Sequence, residues 1–485
     1  MKFNDLIKGL GVIEIEGESN RRVQNIAYDS RKTGKDSIFV CIEGFKTDGH
    51  KFIPQALENG TKLFLVQKDV DLPDYATVAR VENTRYALAN ISDAFFDHPS
   101  EKFNLVGITG TKGKTTTTYM VKSILEQYGQ NVGLIGTVAN MIGQEIVPAD
   151  RTTPESLDLQ ELFNEMVLKD VSSVVMEVSS HALELHRVSC CKYDIGVFTN
   201  LSRDHLDFHK TFEKYLEAKT KLFSMCKRGL INIDTEFGQR VVDSAQSEVY
   251  TFGINEKTAD IRGTDIVHHS NGVDFRIISR WFDGEIHVGI PGTFSVYNAL
   301  AAAGTCALMG IPFEYVQKGL MDVRVPGRAE VVNTGKDYTV MIDYAHSPDS
   351  LQNILSTVKA YAKGRLVCVF GCGGDRDKTK RPVMGRIAGQ LADFTIITSD
   401  NPRTEEPKTI LNDIEKGIRE TGAPYTKIED RYEAIKYALI NSKAEDIILL
   451  AGKGHENYII LKDKTIHFDE REVVREILNE LDALN

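Results

Sequence analysis

Two hydrophobic periods alternate along the chain. Short, mostly apolar runs at 38–42, 63–66, 103–108, 132–138, 173–178 and 194–199 predict buried strands. Apolar residues three or four apart, from Thr115 up to Gly129 and from Thr211 through Phe223, predict helices. Residues 228–290 read as strand-rich, with strands at 273–279 and 285–289, and Pro291-Gly292 introduces a helix through 298–304. A second series of strands follows at 338–343, 365–370, 394–398 and 446–450, and Ser347 and Pro348 announce the first intervening helix as N-cap and N1. Strands alternating with helices imply parallel sheets. Two stretches break the pattern: 97–102, polar and proline-containing, and 325–330, a proline–glycine hinge. The chain therefore reads as an α/β protein of three domains, 1–99, 100–327 and 328–485. Within the first, 46–50 reads as a turn, and so does Asp29-Ser30-Arg31 when taken alone.

The polar residues that interrupt this pattern suggest the chemistry. Between the strand at 103–108 and the helix at Thr115 lies Gly110-Thr111-Lys112-Gly113-Lys114-Thr115-Thr116. Strand, glycine loop and helix in that order make a phosphate cradle. Backbone N–H groups turn inward, the helix N-terminus adds its dipole, and Lys114 supplies a mobile charge. The Thr115 hydroxyl is placed for a magnesium ion. Ile108 stands where a strict P-loop has its first glycine, which leaves G-x-x-G-K-T. A bare pattern of that kind also fits a surface turn; the flanking strand and helix favour a nucleoside triphosphate site. Loops at the carboxyl ends of parallel strands form the ligand crevice, so Glu177, and His205 in the loop 200–205, fall beside it. Singly they read as a solvated strand end and a helix-capping residue; together, as magnesium ligands.

Lys219 is out of place. It lies within the apolar stripe Phe212, Tyr215, Leu216, Leu222 and Phe223, whereas Lys214 and Lys221 lie off it. An ammonium there must be paired, modified or able to snorkel to water. Snorkelling and a functional lysine both stay open. In the last segment the strand ends present His346, then 371–377, then Asp400-Asn401-Pro402-Arg403, then Gly452-Lys453-Gly454-His455-Glu456. Opposite charges at one sheet edge suit a zwitterion, arginines for carboxylates and acids for ammonium groups. Loop ion pairs that only lock the edge would not require so many glycines.

Composition narrows the partners. A net charge of −11 argues against nucleic acid as the main partner, though not against a local basic pocket. No apolar run has the length of a membrane span, and the first residues lack the apolar core of a signal peptide. Seven cysteines without metal-finger spacing suit reduced thiols in the cytoplasm.

Taken together, Asp29-Ser30-Arg31, the glycine loop, Arg151-Thr152-Thr153-Pro154, the 177–182 and 343–348 stretches, Asp400 to Arg403 and 452–456 resemble the Mur ligases. These are the ATP-dependent amide-forming enzymes of bacterial cell-wall precursor synthesis, and the resemblance spans essentially the whole chain. It implies an N-terminal UDP-binding α/β domain, a central P-loop domain with a mostly parallel sheet, and a Rossmann-like C-terminal domain that binds an amino acid. Closure of the last two on each other is then expected. Gly110 to Thr116, Asn298 and Arg328 would hold ATP. Thr115, Glu177 and His205 would serve Mg2+, and Lys219 would be the family's carbamylated lysine. Ser30, Thr152, Thr153, Ser179 and Arg187 would contact UDP-N-acetylmuramoyl-L-alanyl-D-glutamate. Arg376, Asp400, Asn401, Pro402, Arg403, Gly452 and Glu456 would bind meso-diaminopimelate, whose adding branch the Asp-Asn-Pro-Arg form resembles. Lys112 replaces the family's usual asparagine, and Leu185 stands where some relatives have glutamine. A cytoplasmic monomer is expected. The rivals are the lysine-adding version, a folylpolyglutamate synthase-like ligase, and a nucleotide-dependent switch with no ligase activity.

Overall fold

The computed structural model describes residues 1–45, 47–202, 204–269 and 272–483. Lys46, in the expected turn, and Arg203, in the loop before His205, lie outside the described residues. The chain divides into two compact units, Met1–Arg262 with Ala301–Tyr315, and Gly263–Leu300 with Val316–Asn485.

The first unit holds the N-terminal sheet, ordered Glu14–Glu16, Thr77–Arg80, Leu63–Val66, Ser37–Val40, Asn25–Ala27, with only the first pair antiparallel. Leu63–Val66 and Ser37–Val40 are buried on both faces, which is why they read as continuous apolar runs. Ile38, Val40, Leu63 and Leu65 pack with Leu88 and Ile91 of the helix Thr84–Phe95, and Phe39, Phe64 and Val66 pack with Ile53 and Ala56.

The second sheet of this unit carries the glycine loop. Its parallel strands run in the order Glu248–Gly253, Cys226–Asn232, Tyr193–Phe198, Asn104–Thr109, Ser173–Glu177, Val132–Ile135, and Asn140–Ile142 and Glu145–Val147 extend it antiparallel. From Asn104–Thr109 the chain builds one side of the sheet first, then crosses to the other. That strand is therefore the topological switch point, where a crevice opens at the carboxyl ends. The expected strand at 132–138 stops at Ile135 because Thr137 turns to hydrogen-bond Glu177. The strand-rich stretch also contains a helix, Gly238–Ser244.

The second unit contains the hairpin Gly272–Ser279 with Asp283–Val288 and a six-stranded sheet. The order is Glu330–Val332, Thr339–Asp343, Ile447–Ala451, Leu366–Phe370, Phe394–Ile397, Tyr425–Lys427, parallel except at the first pair. Ser347 caps Pro348–Tyr361 in a reciprocal pair with Ser350, with Pro348 at the first helical position, as the sequence predicts. Val340, Val369, Ile396 and Leu450 of the sheet pack against Ile435, Val474 and Ile477. No helix among the described residues is long and apolar enough to cross a membrane.

Candidate active site

The glycine loop is shaped by its neighbour strand. Gly110, at φ +153°, passes so close to the end of Tyr193–Phe198 that a Cβ would lie 1.9 Å from Thr199 Oγ1. Gly113, at φ +86°, forms the N-cap of the helix Lys114–Gln127. Asn200 grips the loop from the side: its Oδ1 accepts from Lys112 N at 2.9 Å, its carbonyl accepts from Thr111 N at 2.9 Å, and its Nδ2 donates to Lys112 O at 3.0 Å. Lys112 is thus anchored through its backbone, which any residue supplies. Lys114 Nζ donates to Gly110 O at 2.9 Å and Thr111 O at 3.1 Å. Behind it, Thr115 Oγ1 donates to Glu177 Oε1 at 2.9 Å, and Thr137 donates to the same carboxylate from its N and Oγ1 at 2.9 and 3.1 Å. Thr116 is buried in the same first turn.

This donor set fits a triphosphate with magnesium. Helix-terminal N–H groups and a mobile ammonium suit phosphate oxygens. Among the described residues no group of three or more His, Cys, Asp or Glu is arranged to hold a metal ion. Magnesium shared between a carboxylate, phosphates and water needs no such group. His205, at φ +52°, precedes the short helix Leu206–His209 without a side-chain capping bond. Its half-exposed ring meets His181 edge-on, centroids 5.0 Å apart, and Asp204 lies 3.7 Å from its Nε2. Burial, then His205 and His209, push His181 down to about 4, so it is neutral at pH 7.

Lys219 does not snorkel. It is 1% exposed, its Nζ donates to Gly110 O at 2.8 Å, and the ammonium lies 4.6 Å from the Tyr215 ring centroid. Burial, then Lys114, push its amine well below the usual lysine range, against the smaller opposing pull of Asp204.

Four of the residues expected at the muramoyl substrate connect to Glu177. Thr153 Oγ1 donates to Glu177 O at 2.8 Å and accepts from Ser179 N at 3.1 Å, and Arg187 Nη1 donates to Thr153 O at 3.2 Å. The Thr152 and Thr137 hydroxyls are 3.0 Å apart. Ser30 lies apart from these, its hydroxyl donating to Gln55 Oε1 at 2.6 Å. Sequence reasoning missed Glu155, a buried carboxylate with Arg85 at 3.2 Å and Arg151 and Arg187 at 3.4 Å. One carboxylate among three guanidiniums leaves a positive surplus, which suits an anionic substrate.

In the second unit Asn298 is buried on Thr293–Leu308, and the Arg328 guanidinium lies 4.8 Å from the Tyr344 ring centroid. The loops 371–377, 400–403 and 452–456 follow three strands that sit side by side. Asp400, Asn401 and Pro402 are buried, and Asn401 Nδ2 donates to Glu456 Oε2 at 2.8 Å. Gly452 leaves room for Asp400, whose Oδ2 would be 2.7 Å from a Cβ there. Arg403, at φ +53°, donates from N to Ile460 O at 3.0 Å and from Nη1 to Gly374 O at 2.8 Å. Arg376 is exposed on the neighbouring loop. Two buried cations were missed. Lys453 Nζ lies 3.3 Å from Glu456 Oε2 and 3.4 Å from Asn401 Oδ1. Arg381 forks onto Glu405 at 2.9 and 3.0 Å, which ties together the first two loops. The glycines on both sides of Lys453 were the available signal; Arg381 had none.

Three family descriptions match the chain: "Mur ligase family, catalytic domain" at 22–96, "Mur ligase middle domain" at 108–306, and "Mur ligase, glutamate ligase domain" at 327–454. The UDP-N-acetylmuramoyl-L-alanyl-D-glutamate–2,6-diaminopimelate ligase of Caldanaerobacter subterraneus subsp. tengcongensis is 50% identical over 481 residues, 99% of each chain. A solved structure of a ligase with that same name aligns at TM-score 0.74 and 30% identity over 99% of both chains. A Mycobacterium tuberculosis folylpolyglutamate synthase aligns over 76% of this chain and 92% of its own at TM-score 0.63 and 16% identity, a likeness of fold.

Proposed function

Since the chain belongs to the Mur ligase family, we propose that it forms an amide bond at the expense of ATP, adding meso-diaminopimelate to UDP-N-acetylmuramoyl-L-alanyl-D-glutamate. The observation that carries this reading is the Asp400-Asn401-Pro402-Arg403 loop, held against Glu456 in a chain 50% identical, end to end, to a ligase named for diaminopimelate. A folylpolyglutamate synthase would not need the Asp29-Ser30-Arg31 and Arg151-Thr152-Thr153 motifs. A nucleotide switch would not need three charged loops on a separate sheet.

A carboxylate is a poor electrophile, so the substrate's terminal carboxylate first takes the γ-phosphoryl group of ATP and ADP departs. The diamino acid's amine then attacks the acyl phosphate, loses a proton, and phosphate leaves. Gly110, Thr111, Lys112, Gly113, Lys114, Thr115 and Thr116 hold the phosphates, and Lys114 offsets charge on the transferring group; Asn298 and Arg328 are assigned to the nucleotide. Thr115, Glu177 and His205 would hold Mg2+, which when bound would supply further charge neutralisation. Ser30, Thr152, Thr153, Ser179 and Arg187 orient the UDP-muramoyl dipeptide. Lys219, its pKa lowered by burial and by Lys114, adds as the neutral amine to carbon dioxide and releases a proton, which gives an N-carboxylate that could help hold a metal. Arg376 and Arg403 take carboxylates of diaminopimelate, Asp400 and Glu456 its ammonium groups, and Asn401, Pro402 and Gly452 shape the loops. The domain boundaries stay at 99/100 and 327/328. All seven cysteines are free, which suits the proposed cytoplasmic location, and the active species is read as a monomer.

Steady-state ADP formation tests the reaction class. ATP turnover requires both the UDP-muramoyl dipeptide and a diamino acid; turnover with ATP alone at the same rate contradicts a ligase.

A further inference from the structure

Behind the amino-acid loops lies a charge pair that no assigned role uses. Arg431 and Glu470 are both completely buried and stand first in the helices Arg431–Ile440 and Glu470–Ala483. Arg431 Nη2 and Nε lie 2.7 and 2.8 Å from Glu470 Oε1. The guanidinium also donates to backbone: Nη1 to Ser399 O at 3.1 Å and Nη2 to Ala451 O at 3.0 Å. Ser399 immediately precedes Asp400, and Ala451 immediately precedes Gly452.

The strands leading to those two carbonyls are not neighbours. Leu366–Phe370 runs between Phe394–Ile397 and Ile447–Ala451 and pairs Phe370 with both Ile397 and Ala451, so the roots of the two loops share no ladder hydrogen bond with each other, and Ser399 lies beyond the last paired residue. The two strands themselves are roughly 9–10 Å apart, two strand spacings, yet the carbonyls of Ser399 and Ala451 converge on one guanidinium. A planar guanidinium with several donors in fixed directions can hold two such carbonyls at once; an ammonium, a point charge on a flexible stem, cannot hold them in a defined geometry. Burying an ion pair gives little net stability over apolar packing, so stability alone does not account for this one. The loop tips meet separately, through Asn401 and Glu456.

We propose that Arg431, oriented by Glu470, is a positioning residue for the diamino-acid site: it fixes the separation between the 400–403 loop, with its arginine, and the 452–456 loop, with its acid. The length of diamino acid accepted follows from that separation. The inference rests on reading these loops as the diaminopimelate site.

The test is phosphate release by the full-length protein with each substrate varied in turn. Arg431→Lys keeps the charge beside Glu470 and loses the fork. The double variant Arg431→Met/Glu470→Leu removes the pair without leaving an orphaned charge. Both raise KM for diaminopimelate about tenfold or more, while KM for ATP and for the UDP-muramoyl dipeptide stays within about twofold. A folded variant with wild-type KM for diaminopimelate, or one in which all three KM values rise together, overturns the role. Failure of both variants to fold also overturns it, since Arg431 would then be a residue of the fold alone. The wild-type protein separates the two levels of the argument. If it shows no diamino-acid-dependent phosphate release, the reading of the site fails; if it is normal and the variants match it, only the role of Arg431 fails.

Discussion

A buried amine beside a phosphate loop raises the question of what its nitrogen becomes. Lys219 ends on Gly110 O, next to Lys114, with burial holding its pKa well below that of a free lysine. An amine so depressed is neutral at a lower pH than usual, and only the neutral form adds to carbon dioxide. The intact mass of the native protein therefore exceeds the sequence mass by one carbon dioxide, and the excess disappears on acidification. Lys219→Ala loses most activity and regains part of it with small added carboxylates; an unmodified mass in active protein contradicts the carbamate. Lys114 bonds the Gly110 and Thr111 carbonyls of its own loop, and Lys114→Ala abolishes ligation and leaves the melting temperature nearly unchanged, because the loop lysine acts on charge and not on packing. Wild-type turnover by that variant would remove the phosphate role. Arg403 lies close enough to Gly374 and Ile460 to be held in place, and lysine lacks the carboxylate it would read. An unpaired, partly dry guanidinium costs a few kcal/mol, a preference of about 100-fold or more. Arg403→Ala narrows that gap, whereas Glu456→Ala weakens both amino acids alike.

At the scale of elements, strands were legible because burial on both sheet faces writes a plain apolar run, and the helix after Ser347 because it carries its cap in local sequence. The residues expected around the glycine loop were legible too, since they follow strand ends. Contacts between strand ends were not. Asn200 grips Lys112 because Tyr193–Phe198 lies beside Asn104–Thr109, and strand order depends on packing that no local pattern encodes. The same holds for Glu155, which collects Arg85 from a different sheet's helix. Lys219 shows the opposite case, where a polar residue inside an apolar stripe was visible, yet only the fold shows that it cannot reach water. The clamp between the 371–377 and 400–403 loops makes a pH prediction. Hydrogen bonds from Arg381 hold Glu405 down to about 2, from an ordinary value of 4.5. A depressed carboxylate stabilises the fold fully above its unfolded pKa and loses that contribution as pH falls towards the folded one. Urea unfolding from about pH 6 to about pH 2 therefore shows a steep acid limb that Glu405→Gln flattens. An unchanged limb would remove Arg381 and Glu405 as the tie between the loops.

At the scale of the whole molecule, the chain carries two separate sets of strand-end loops, one built around a phosphate cradle and one around paired opposite charges. The first suits any ATP-using enzyme; on the proposed reading the second selects which amino acid is joined. The account's central claim concerns that second set. It is tested most directly by phosphate release from purified protein with ATP, magnesium and the UDP-muramoyl dipeptide, comparing meso-diaminopimelate with lysine. The account predicts that diaminopimelate is preferred by about 100-fold or more in kcat/KM. Equal values, or a preference for lysine, would contradict it.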